Sequence, residues 1–184
     1  AKQLAGGLYG AWYILRFDPR AWSALDVTLA GFWASFVVAA MLAPFHALHV
    51  FVDYGGRDEN MALLPYLIVE TLAYIISWTL FPFAMLYASD FLDRRSQYFS
   101  HIVAYNWMRL FIEGPLYIVL LLSDFGAITR EGAAFLNLIG LAALMVYGTF
   151  VAGVGLKVPT GTAVGLVVLD LVLSLTTALL IERI

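Results

Sequence analysis

Long apolar runs separated by short polar clusters set the pattern of this chain. Five stretches reach the length of about 20 mostly apolar residues that a helix needs to cross a hydrocarbon core. They are residues 27–52, 62–88, 99–122, 132–156 and 160–181. Asp26 precedes the first and suits an N-cap. Pro159 stands at the first turn of the fifth, where a missing N–H costs little. Residues 53–61 (DYGGRDENM) carry Gly55-Gly56 and four charges, residues 89–98 carry Arg94 and Arg95, residues 123–131 carry Asp124, Arg130 and Glu131, and residues 157–159 form a tight turn. Such short links make successive helices antiparallel neighbours. The pattern predicts an all-α integral membrane bundle of five transmembrane helices, one domain over residues 1–184, with no internal repeat.

Residues 1–20 break the pattern. The run LAGGLYGAWYIL is too short to span, and Leu4, Leu8, Trp12 and Leu15 recur on one helical face. This predicts an interfacial amphipathic helix with Lys2, Arg16 and Arg20 at the headgroups, or a helix docked on the bundle or a partner. Arg16 and Asp18-Pro19-Arg20 follow the apolar run where a secretory signal would place small residues, so no cleavable signal is read here.

Composition agrees with the pattern. Hydrophobic residues make up 62% and charged residues 12%, against roughly 45–50% and 25% in soluble domains. Mean hydropathy is +0.88. A net charge of −3 and the lack of any basic run argue against a nucleic-acid partner. With no cysteine, disulfides, thiolate metal sites and cysteine nucleophiles are excluded. Lys2, Arg16, Arg20, Arg94, Arg95 and Lys157 fall on one face of the bundle, and Arg57, Arg130 and Arg183 on the other. The positive-inside rule then places the N-terminus in the cytoplasm and the C-terminus outside.

Five ionisable residues lie deep in the expected spans: His46, Glu70, Arg109, Glu113 and Asp170. Each is costly in lipid and should face the bundle interior or water. At 1.5 Å per residue, Arg109 and Asp170 are both about 15 Å from the cytoplasmic end and can pair. Glu113 follows Arg109 at the i,i+4 spacing, on the same face. By the same measure Glu70 and His46 share the outer layer with Glu113, at about 12 Å and 9 Å from the outer end. Gly114 permits close approach, and Pro115, Pro44 and Pro82 each free a backbone carbonyl near these polar groups. The cluster reads either as structural ion-pair glue or as a proton or solute path. His46 and His49, with Glu70 as a third ligand, form the one conceivable metal set, and their spacing does not suit a haem. No metal site is assigned.

Gly161-x-x-x-Gly165 opens the fifth span and fits a close helix crossing, within the chain or on a partner. Trp78 and Trp107 lie deep enough to contact a bound lipid, quinone or pigment, although helix packing explains them as well and no cofactor is indicated. No zinc-protease, nucleophile-elbow or phosphate-loop motif occurs, and an enzyme is not expected.

The five-span layout is similar to the Yip1-type bundle topology. The segments GAWYILRFDPRA, VAYNW and LVVLDLVLSL resemble small uncharacterised bacterial inner-membrane proteins. That resemblance implies a bacterial inner-membrane location and no particular activity. The expected function is non-catalytic: an accessory or scaffolding subunit of a larger membrane complex, with lipids and other membrane subunits or further copies of itself as partners. The alternative is a small oligomeric transporter or channel that uses the buried cluster.

Overall fold

The computed structural model describes residues 2–56 and 62–181. Arg57 and Arg183, and the side chain of Lys2, lie outside that description, and with them part of the charge asymmetry. Among the described residues there are α-helices and one 3-10 turn (Arg95–Gln97) but no strand. The helices are α1 (Lys2–Leu15), α2 (Ala21–Ala24), α3 (Leu29–Ser35), α4 (Val37–Gly55), α5 (Leu63–Phe91), α6 (Tyr98–Asp124), α7 (Arg130–Gly155) and α8 (Thr160–Ile181).

Four segments are long and apolar enough to cross a membrane: Leu29–Gly55, Leu63–Phe91, Arg130–Gly155 and Thr160–Ile181. The expected third span, residues 99–122 and now within α6, does not join them. Its 27 residues suffice in length, but it carries His101, Asn106, Arg109 and Glu113. The reason lies in its position. Residues His101 to Arg109 are buried without a break, so every side of the helix there is faced by protein. A helix so enclosed need not be apolar, because its neighbours stand between its polar groups and the surroundings. The helices α4, α5, α8 and α7 pack in succession around it, and α1 to α3 close the remaining side.

The first apolar run begins later than expected and is not continuous. Asp26 is not its N-cap. The hydroxyl of Thr28 accepts the Gly31 N–H at 3.2 Å, and Asp26 in turn accepts from the Thr28 hydroxyl at 2.6 Å and backbone N–H at 3.1 Å. At Phe36 the helix breaks between α3 and α4, where the Ser35 hydroxyl donates to the Phe32 carbonyl and also accepts from Asn106 of α6 at 2.9 Å.

Helix α1 lies on the bundle at the end where α6 begins, here called the near end. Its Leu4, Leu8 and Trp12 face is exposed, while Gly7, Gly10, Ala11 and Ile14 are buried. Gly7 sits on the indole of Trp107 so closely that a Cβ there would fall 2.0 Å from the ring. The glycines that weaken the helix by propensity are therefore what lets it seat. Trp22 donates to the Ser100 carbonyl at 3.1 Å, Tyr147 donates to the Leu15 carbonyl at 3.1 Å, and Phe17 (φ 54°) stacks on Tyr147 at 4.6 Å.

Candidate functional site

Tyr105, Arg109, Glu113 and Tyr117 recur every four residues along α6. Four residues exceed one turn by about 40°, so the stripe winds around the helix as it climbs. Each member therefore meets a different neighbour. Tyr105 donates from its hydroxyl to Asp170 of α8 at 2.8 Å. Arg109 reaches α5, where one Nη donates to the Ser77 carbonyl at 3.3 Å and the guanidinium carbon lies 3.7 Å from the centroid of the Trp78 ring. Its Nε is bound to Glu113 one turn on. Tyr117 meets α4, its ring edge-on to His46 at 6.1 Å.

The expected Arg109–Glu113 pair is thus present. The expected Arg109–Asp170 ion pair is not, because the Tyr105 phenol holds the carboxylate instead. Arg109 and Asp170 are each 6% exposed, so removal of either partner would strand a charge in a dry interior. Glu70 does not join the cluster: it is half-buried on α5 and makes no ion pair or side-chain hydrogen bond among the described residues. Depth matching placed it in the right layer, but its rotation about α5 takes it elsewhere.

His46 stacks on Tyr74 at 4.5 Å, and its Nε2 is enclosed without a hydrogen-bond partner of normal geometry. Tyr74 donates to the Ala39 carbonyl at 2.6 Å, one turn below Pro44. His49 is held apart from His46 chemistry by Asp124, at 2.6 Å, which ties α4 to the far end of α6. Among the described residues no three His, Asp or Glu side chains converge as a metal site. At the other end of α6, His101 is fully buried between Phe81 and Tyr105, with neither ring nitrogen bonded.

One glycine expectation is corrected and one is narrowed. Gly114 makes no close approach: a Cβ there would sit 3.7 Å from Leu42, an ordinary contact. Gly161 and Gly165 have nothing within 4 Å of a built Cβ, so this chain supplies no close crossing at their motif. Tight glycine contacts between the helices include Gly7 on Trp107, Gly10 on Leu25, Gly140 on Leu116, Gly148 on Val167 and Gly155 on His101.

Outside the apolar helices two carboxylates are tuned. The Thr28 hydroxyl, then Gln3 at 3.1 Å, hold Asp26 below its ordinary value of 3.8. The Arg20 side chain holds half-buried Asp18 below the same value.

The sequence reading singles out Trp78 but not its place over Arg109, and it leaves out Tyr105, Tyr74 and Tyr117. The four-residue recurrence on α6 is the signal that points to Tyr105 and Tyr117. Comparison of the chain with family models, with curated proteins and with solved structures finds no match. The functional argument therefore rests on this chain's own residues.

Proposed function

We propose that this chain is a non-catalytic, multi-pass protein of the bacterial inner membrane that works by association, as an accessory or scaffolding subunit of a larger membrane complex. In this reading α6 crosses the bilayer inside the ring of the other helices, as a fifth span. The N-terminus is cytoplasmic and the C-terminus lies outside.

One observation supports it above others. The charges on α6 are turned inward and matched, while the Gly161–Gly165 face of α8 is left bare. Paired, buried charges serve as register-fixing glue, and small residues at i,i+4 let a second helix approach closely. Purification of the native, untagged protein in mild detergent, with mass spectrometry of what co-migrates, tests this. A stoichiometric set of other membrane subunits is the expected result. Migration alone, or only as a homo-oligomer, refutes it.

A second reading, a small transporter or channel, has its own support. A cleft on the far half of the bundle reaches Ser77, the residue whose carbonyl takes Arg109. On that reading Glu113→Gln abolishes proton or solute flux into vesicles without unfolding the protein. Unchanged flux removes it.

A further inference from the structure

Toward the far end, α4, α5, α6 and α8 enclose a half-open cleft of about 250 Å³. His46, Tyr74, Ser77, Tyr117, Ser174 and Thr177 bring polar groups to it. Among the described residues no carboxylate, ammonium or guanidinium lines it, so a ligand bearing a full charge would find no counterion among them. The occupant that fits is neutral.

The hydroxyl groups divide into two sets. Tyr74 donates to the Ala39 carbonyl, Ser77 to the Tyr74 carbonyl and Thr177 to the Leu173 carbonyl. Tyr117 and Ser174 have no acceptor among the described residues. Away from water, a hydroxyl without an acceptor is unfavourable, and a ligand that brings one relieves the cost. An alkyl chain cannot do this, whereas a carbonyl oxygen can. The aromatic groups add a shape preference. His46 lies nearly parallel to Tyr74 and edge-on to Tyr117, and Phe81 also lines the cleft. Flat aromatic walls favour a flat, ring-shaped guest. The volume is just below the roughly 300–1,000 Å³ of drug-sized pockets, which leaves room for one ring with its tail outside.

We propose that this cleft binds a neutral amphiphile of the quinone class, its ring among His46, Tyr74 and Tyr117, its carbonyl oxygens taking the Tyr117 and Ser174 hydroxyls, and its tail leaving through the open side. The assignment is independent of whether the chain is a scaffold.

Thermal unfolding of the detergent-purified protein, titrated with decylubiquinone, tests it. The expected result is a stabilisation that saturates at one probe per chain. Ala178→Trp, at an exposed edge of the cleft, fills the space and should abolish the saturable part; Ser174→Phe serves as a second filling variant. Tyr117→Phe should weaken binding about tenfold, the effect of one hydrogen bond. Circular dichroism establishes that each variant is folded. A shift that grows with the probe-to-detergent ratio without saturating, or that survives both filling variants, overturns the proposal. The same saturating shift with 1-decanol would mean that only the tail is recognised, and overturns it too. Saturation by diacylglycerol with none by the quinone would assign the cleft to glycerolipid carbonyls and overturn the quinone assignment.

Discussion

The two halves of α6 are built differently. From His101 to Arg109 no side chain reaches the surface, whereas from Leu110 to Asp124 only Ile112 is buried. Helix α7 runs beside both halves, with Gly155 on His101 and Gly140 on Leu116. What differs is the N-terminal segment: α1, α2 and α3 cover the near half alone, through Gly7 on Trp107, Trp22 on the Ser100 carbonyl and Ser35 on Asn106. The far half has no such layer. There the polar groups satisfy one another along the stripe, and a cleft remains. The N-terminal segment is therefore a structural lid on a polar helix. Its packed face is the one opposite the apolar stripe that the sequence displays.

The largest expected effect strikes where the halves join. Arg109→Leu takes the cation away from Glu113 at a part-buried site, a loss of about 3–5 kcal/mol. Arg109→Leu combined with Glu113→Leu should recover much of it. Thermal midpoints of the single and double variants in one detergent measure both. If the double variant is no better than the single, Glu113 is not the group left stranded.

A matched pair of glycine changes probes the lid directly. Gly7→Ala drives a methyl group into the Trp107 ring and should destabilise by about 1–3 kcal/mol. Gly114→Ala, on the far half, makes an ordinary contact with Leu42 and should be neutral or stabilising by up to about 1 kcal/mol, the helix preference for alanine. Equal losses at the two positions would erase the distinction between the halves.

The two tyrosines of the stripe give a smaller contrast. Tyr105→Phe removes the donor to buried Asp170 and should cost about 1–2 kcal/mol. Tyr117→Phe removes no internal hydrogen bond and should shift the unliganded protein by under about 0.5 kcal/mol. Denaturant titration of both variants without added quinone decides this.

The smallest effect concerns pH. Because Asp26 is held below its ordinary value of 3.8, its contribution to the α1–α3 tie is present above that value. It is lost as pH falls through the lower, folded-state value. Protection of α1 amides, corrected for intrinsic exchange, should fall in that acid window, and Asp26→Asn should remove the pH dependence by leaving protection at neutral pH near its acid level.

These contrasts also mark what the sequence could show. Arg109–Glu113 was legible because i,i+4 spacing is a property of a single helix. Asp170 was placed in the correct layer by depth, but depth says nothing of rotation, and a phenol one turn away took the carboxylate. Glu70 failed on rotation alone. His49 and Asp124 were both visible, yet Asp124 was counted in a link when it ends α6. The third run is less apolar than its length suggests for a physical reason: a helix enclosed by protein can carry polar residues that a lipid-facing one cannot. The Gly161 and Gly165 spacing was plain to read, but spacing alone could not tell a filled crossing from a bare one.

The polar make-up of α6 has a consequence for biogenesis. On the five-crossing reading, a helix bearing a central arginine pays roughly 2.5–3.5 kcal/mol at the insertion machinery for that residue alone. Leaving the translocon unaided would expose Arg109, Glu113 and Asn106 to lipid before α7 and α8 have been synthesised. The order of synthesis offers the remedy. Helices α1 to α5 emerge first, and they include Ser77 and Trp78 for the guanidinium and Ser35 for the amide. The early helices thus act as an intramolecular chaperone, receiving α6 at the lateral gate before the later pair seals it in.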